Sequence, residues 1–150
     1  MDADQPVTIG FIIRNCDGDF LLAGTDCCRA VSAEEAECKG LLLAVKTGIC
    51  QGLHDVVFET DNKNAANYLA GIPASLSWSS VNILDEAKLL SLYFQSVCFI
   101  FCNRTGNCVA HTLATQRGAS YLVPTLYHVP PVWLIDQLRR DNMFCNIANS

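Results

Sequence analysis

Residues 8–14, Thr8-Ile9-Gly10-Phe11-Ile12-Ile13-Arg14, form a β-branched, apolar run, a composition that suits a pleated strand. A second such run, Phe20-Leu21-Leu22-Ala23-Gly24-Thr25, follows after Asn15-Cys16-Asp17-Gly18-Asp19. Asp17-Gly18 is placed to supply the positive φ angles of a tight turn. The chain therefore opens with an antiparallel hairpin, and everything downstream must pack on the sheet it begins.

Ser32 is a good N-cap, and Glu35 three positions later completes a capping box. The helix it starts carries Ala33, Ala36, Leu41, Ala44 and Val45 and is expected to end at Gly48. Val56-Val57-Phe58-Glu59-Thr60 reads as a short strand buried on both faces. Residues 62–69 read as a helix broken by Gly71-Ile72-Pro73, and residues 81–92 as another, with Ile83, Leu84, Ala87 and Leu90 at helical spacing. A strand over 97–101, a helix over 107–118 and an amphipathic tail over 132–140 complete the pattern. The order predicts an α/β fold: a mixed central sheet with helices packed on it.

A chain of 150 residues fits one domain, 1–150, and 51% hydrophobic against 17% charged residues excludes a disordered polymer. The net charge of -5 argues against a grip on nucleic acid by bulk positive charge. It leaves room for a nuclease whose carboxylates are neutralised by bound metal. Nine cysteines without a C-x-x-C pair are expected to be reduced, mostly buried thiols. Met1 is followed by Asp2 and Asp4, not by a basic leader, so a cytoplasmic or nuclear protein is expected, not a secreted one. The most apolar stretch, 89–102, falls short of the roughly 20 residues a bilayer requires, so no membrane association is expected. No Gly-rich phosphate loop points to a small-molecule cofactor, and the chain is expected to be a monomer.

Three places carry chemistry. Asp61 follows an apolar strand, where sites form in open α/β sheets, although an Asp there could equally cap the next helix. Glu37 lies two positions from Glu35, so the two point to nearly opposite helix faces. If Glu35 meets water, Glu37 faces the sheet, and a carboxylate turned inward needs a partner or a metal; a partly exposed Glu is the plainer alternative. Within Arg104-Thr105-Gly106-Asn107-Cys108-Val109-Ala110-His111, Asn107 would begin a helix and His111 would lie one turn on. That makes His111 a candidate ligand or proton carrier, or simply a His packed at a helix surface.

Four motifs, in order and on the expected elements, carry a resemblance that covers nearly the whole chain from Thr8. They are residues 10–18, Ala36-Glu37-Cys38, Glu59-Thr60-Asp61-Asn62 and residues 104–114. Together they resemble plant ribonuclease H-like proteins, related to retrotransposon ribonuclease H domains. The tail from Pro130-Pro131 through Leu134 to Asp141 is similar to that group's. The resemblance implies a ribonuclease H-like fold, with helices on both faces of a mixed sheet. It implies metal-dependent endonucleolytic cleavage of the RNA strand of RNA–DNA hybrids, with Mg2+ (or Mn2+) held by Asp2, Glu37 and Asp61. His111 falls where the family has a fourth acidic residue, and a role in protonating the leaving group or easing product release is implied for it. Asn62, Arg104 and Asn107 fall where nucleic-acid contacts are implied.

The sequence departs from that family twice. The family's first strand, central in the sheet, is reduced to a stub over 1–7, with Asp2-Ala3 as its acidic motif and Asp4 as a rival to Asp2. A stub would leave backbone pairing groups on both neighbours. His111 is also a softer ligand than a carboxylate. Both departures keep a second expectation open, a catalytically silent nucleic-acid-binding or protein-interaction module on the same fold. A Ser- or Cys-based hydrolase is disfavoured, since no Gly-x-Ser-x-Gly elbow is present. Residues 124–150 are expected to pack on the domain or trail from it.

Overall fold

The structure, a computed structural model, describes residues 5–60, 62–101 and 125–128. The hairpin is present and longer than its apolar runs. Strand β1 spans Gln5–Arg14 and β2 spans Phe20–Ala30. They pair antiparallel from Gln5 opposite Ala30 up to a bulge between Ile13 and Arg14. Gln5, Pro6 and Val7, expected in a separate stub strand, run on into β1 instead, in register with Ala30, Arg29 and Cys28. The turn also departs from expectation. Only Gly18 takes a positive φ, 86°, because the Asn15 side chain accepts the N–H groups of Asp17 and Asp19 and closes the loop without help from Asp17.

Helix α1, Ala33–Cys50, starts where Ser32 accepts the Glu35 N–H at 3.1 Å. It runs past Gly48, the expected end, and stops at Gln51, with Gly52 at φ 72°. Gly48 is buried inside the helix because Phe94 packs on it: a Cβ there would meet Phe94 Cζ at 3.0 Å. This glycine serves close approach, not helix termination. Next come β3 (Asp55–Thr60), α2 (Lys63–Leu69), α3 (Trp78–Leu90), a 3-10 turn at Ser91–Tyr93, β4 (Ser96–Phe101) and β5 (Thr125–Tyr127). Helix α3 begins three residues before the predicted 81, because Ser77 caps it by accepting the Ser80 N–H. The helix expected over 107–118 and the tail over 132–140 lie outside the described residues.

The five strands form one mixed sheet, ordered β4-β3-β1-β2-β5. Strand β3 pairs parallel with β4 along its whole length, from Asp55 opposite Ser96 to Thr60 opposite Phe101. Its ladder with β1 is antiparallel and covers only Ile13 opposite Phe58 and Arg14 opposite Val57. The core gathers Phe11, Ile13, Leu22, Val45, Phe58 and Leu84 between the sheet and α1 and α3. Phe58 anchors it, with ring centroids 5.7 Å from Phe94 and 5.4 Å from Phe99. No helix among the described residues is long and apolar enough to cross a membrane.

Candidate functional site

Where the β1–β3 ladder stops, the two strands part and a cleft opens. Gly10, Phe11 and Ile12 form one wall and Phe58, Glu59 and Thr60 the other. Its floor is a stripe of α1: Glu37, then Gly40 and Leu41, then Ala44. These positions recur at i, i+3, i+4 and i+7, so they lie on one helix face. The cleft is partly open to solvent. Small residues in the floor make room: among the described residues, a Cβ on Gly40 would meet only Ile9 Cβ, at 4.0 Å.

Glu37 is therefore brought to the end of β3, beside Thr60, but not as the sequence suggested. Glu37 is exposed and Glu35 is buried, at 7% of its full accessibility. The expectation that Glu35 meets water while Glu37 turns inward is corrected, and the reason is the serine-rich start of α3. Ser79 Oγ donates to Glu35 at 2.9 Å, and Lys39 pairs with the same carboxylate at 3.3 Å. Ser80 Oγ donates to Glu34 at 2.6 Å, and the Ser77 N–H donates to it at 3.1 Å. The Ser80 and Ser77 hydrogen bonds hold the Glu34 carboxyl below its ordinary range. For Glu35, burial pushes the pKa upward, but donation from Ser79 and Lys39 and the Lys39 charge outweigh it, and the net direction is down. The two carboxylates thus clamp α1 to the positive end of α3, and Glu37 lines the cleft.

Across the cleft, Glu59 pairs with Arg14 at 3.6 Å, both side chains nearly buried at 10% and 4% exposure. Arg14 also donates to the Gly18 carbonyl at 3.4 Å. This pair braces the closed end of the β1–β3 junction. Strand alternation could have revealed it, because Arg14 and Glu59 both fall on the polar parity of their strands. Gly40 and Ala44 were also missed as site residues, although their spacing from Glu37 marks them.

Asn62, an expected nucleic-acid contact, is the N-cap of α2, its Oδ1 accepting the Ala65 N–H at 3.1 Å. The capping role that competed for Asp61 is thus filled by its neighbour. Asp2, Asp61, Arg104, Asn107 and His111 lie outside the described residues. Oxygen donors such as Glu37 suit a hard divalent cation. Among the described residues, no group of three His, Cys, Asp or Glu side chains could hold a metal. A cation placed at Glu37 would need further ligands beside it. Cys38, one position on from Glu37, is no candidate, because burial pushes its thiol up to about 11.

A mixed five-stranded sheet with this order, and a helical carboxylate at the end of its parallel strand, defines a ribonuclease H-like domain. Among solved structures, the chain is similar to ribonuclease H1 from the halophilic archaeon Halobacterium salinarum NRC-1. The TM-score is 0.67 at 21% identity, over 77% of this chain and 88% of that one. It is also similar to the N-terminal ribonuclease H domain of rv2228c from Mycobacterium tuberculosis, at TM-score 0.56 and 16% identity, over 76% and 93% of the two chains. A search of curated proteins returns no significant match. Residues 2–117 match the family described as reverse transcriptase-like, and the chain belongs to that family.

Proposed function

We propose that this protein is a metal-dependent endonuclease acting on the RNA strand of RNA–DNA hybrids. The carrying observation is that Glu37 and the end of β3, which leads in sequence to Asp61, line one cleft. The family and the ribonuclease H fold support it, and within that family the motifs resemble those of plant and retrotransposon members.

In this proposal Glu37, Asp61 and Asp2 hold Mg2+, or Mn2+ in its place. When bound, the cation supplies the charge neutralisation and activated water that phosphodiester hydrolysis requires. Glu37, exposed on the α1 stripe of the cleft, is placed to accept a hydrogen bond from a ribose 2′-hydroxyl, the group that distinguishes RNA from DNA. Asn62, Arg104 and Asn107 position the phosphate backbone, which carries no sequence information, so cleavage has little sequence preference. His111 protonates the leaving oxygen or speeds product release.

The test is cleavage of an end-labelled RNA–DNA hybrid in Mg2+ and in Mn2+, with double-stranded RNA as control. Cleavage of the hybrid alone, abolished in Asp61→Asn and in Glu37→Gln, is the expected result. His111 in place of a carboxylate favours one alternative, a silent binding module. Hybrid binding without cleavage in either metal would establish that alternative.

A further inference from the structure

Helix α3 has two unlike sides. Its buried residues Ser80, Leu84 and Ala87 share the side turned to the core. Trp78, Asn82, Asp85 and Leu89 are all exposed, and at 3.6 residues per turn they fall on the opposite side, within about 60° of one another. Trp78 is 80% exposed and Leu89 67%, while Leu92 and Tyr93, in the 3-10 turn that continues α3, are 77% and 76% exposed. Large apolar side chains this bare, set in a row, mark a contact surface. None of them lines the cleft.

The order of residues along this stripe selects its occupant. Steps of four, three and four residues separate Trp78, Asn82, Asp85 and Leu89, so the spacing reads the same in both directions. Against a second α3 laid antiparallel about a two-fold axis between residues 83 and 84, Trp78 falls opposite Leu89 and Asn82 opposite Asp85, each twice. The chemistry matches as the spacing does: an amide donor meets a carboxylate acceptor, and an aromatic side chain meets an aliphatic one. The Tyr68 hydroxyl donates to Oδ1 of Asp85, which leaves Oδ2 for Asn82 of the second copy. Glu86, beside the stripe, is already answered by Lys46 at 3.1 Å. Leu92 and Tyr93 extend the row past Leu89, where they would flank Trp78 of the second copy. A two-fold contact requires a patch that complements itself, and this stripe does.

We propose that the outer face of α3 is a dimer interface, in which two copies of this chain pack their α3 helices antiparallel. Trp78 and Tyr93 leave on the order of 300 Å² of aromatic surface bare in each copy. Even with Leu89 and Leu92 added, the stripe falls short of the roughly 800 Å² per partner of a standard interface. The dimer is therefore weak and depends on concentration, and the monomer expected from the sequence is its dilute form.

The test is sedimentation velocity of the whole protein, kept reduced, from about 10 μM to about 1 mM, the range a weak interface populates. A monomer–dimer equilibrium is expected. Asn82→Asp sets two carboxylates against each other at both crossings and should weaken the dimer about tenfold or more. Asn82→Lys sets a cation against Asp85 and should tighten it about threefold or more. The opposite signs separate a contact between copies from a loss of folding, which would move both variants alike. Trp78→Ser should weaken the dimer about tenfold, and Asp17→Asn, exposed in the β1–β2 turn, should leave it unchanged. A monomer at every concentration overturns the proposal. So does a dimer that the two Asn82 variants shift in the same direction or not at all, and so does growth beyond the dimer.

Discussion

At Ile13 and Arg14, β1 pairs with Phe58 and Val57, Phe94 seals Gly48 beneath them, and the Arg14–Glu59 pair sits on the junction. One residue earlier the pairing is gone, and Gly10, Phe11 and Ile12 face Glu59 and Thr60 across a cleft in which, among the described residues, only Ile9 Cβ stands within 4.0 Å of an added Cβ at Gly40. The same two strands and the same helix build both ends. The difference lies in which described side chain stands over the glycine of α1: Phe94, from the turn before β4, within 3.0 Å of an added Cβ at Gly48, and Ile9, no nearer than 4.0 Å, at Gly40. Stability is concentrated at the closed end and the candidate chemistry at the open end. Substitutions at the two ends should therefore separate folding from function.

The largest effect is expected at Phe58, which is 1% exposed between two aromatic rings. Phe58→Ala should cost about 3–5 kcal/mol in urea unfolding, and a loss under 1 kcal/mol would show that the closed end is not the anchor. Arg14→Met should cost about 3 kcal/mol by removing the ion-pair partner of a nearly buried Glu59. A paired Arg14→Met/Glu59→Gln variant should recover much of that loss, and failure to recover would mean Arg14 acts through packing.

The two buried glycines of α1 sharpen the contrast. Gly48→Val should destabilise by about 1–3 kcal/mol through overpacking against Phe94. Gly40→Ala should stabilise by about 0.5–1 kcal/mol, because it gains helix propensity without a clash. Equal effects at the two sites would contradict the description of one end as filled and the other as open.

A smaller effect is expected from acid. The folded pKa values of Glu34 and Glu35 lie below the ordinary value of 4.5. The α1–α3 clamp therefore contributes fully above that value and is lost as pH falls through the lowered folded values. Urea midpoints measured from about pH 6 down to about pH 3 should fall less steeply for Glu34→Gln/Glu35→Gln than for the parent chain. An unchanged slope would mean the clamp is not coupled to folding.

Much of this was readable in the chain. The hairpin, the Ser32 cap and the strand leading to Asp61 follow from local patterning, and each stands where its residues put it. The errors share a cause, which is contacts distant in sequence. Glu35 could be assigned to water only by ignoring Ser79, a partner 44 positions away. Gly48 has the look of a helix terminator because glycine serves both termination and close approach, and only Phe94 decides between them. Helix α3 starts before its apolar periodicity because a cap, Ser77, and not a hydrophobic face sets its first turn. Nothing local in β1 indicates that its pairing with β3 would stop after Ile13.

Manganese binding followed by electron paramagnetic resonance tests the shared carboxylate centre without requiring turnover. The parent chain, Glu37→Gln, Asp61→Asn and the double variant would be titrated alike. If both carboxylates hold one cation, each single substitution should weaken binding about as much as both together. Parental affinity in Glu37→Gln, or strictly additive losses, would mean that the helix and the strand end do not serve a common ion.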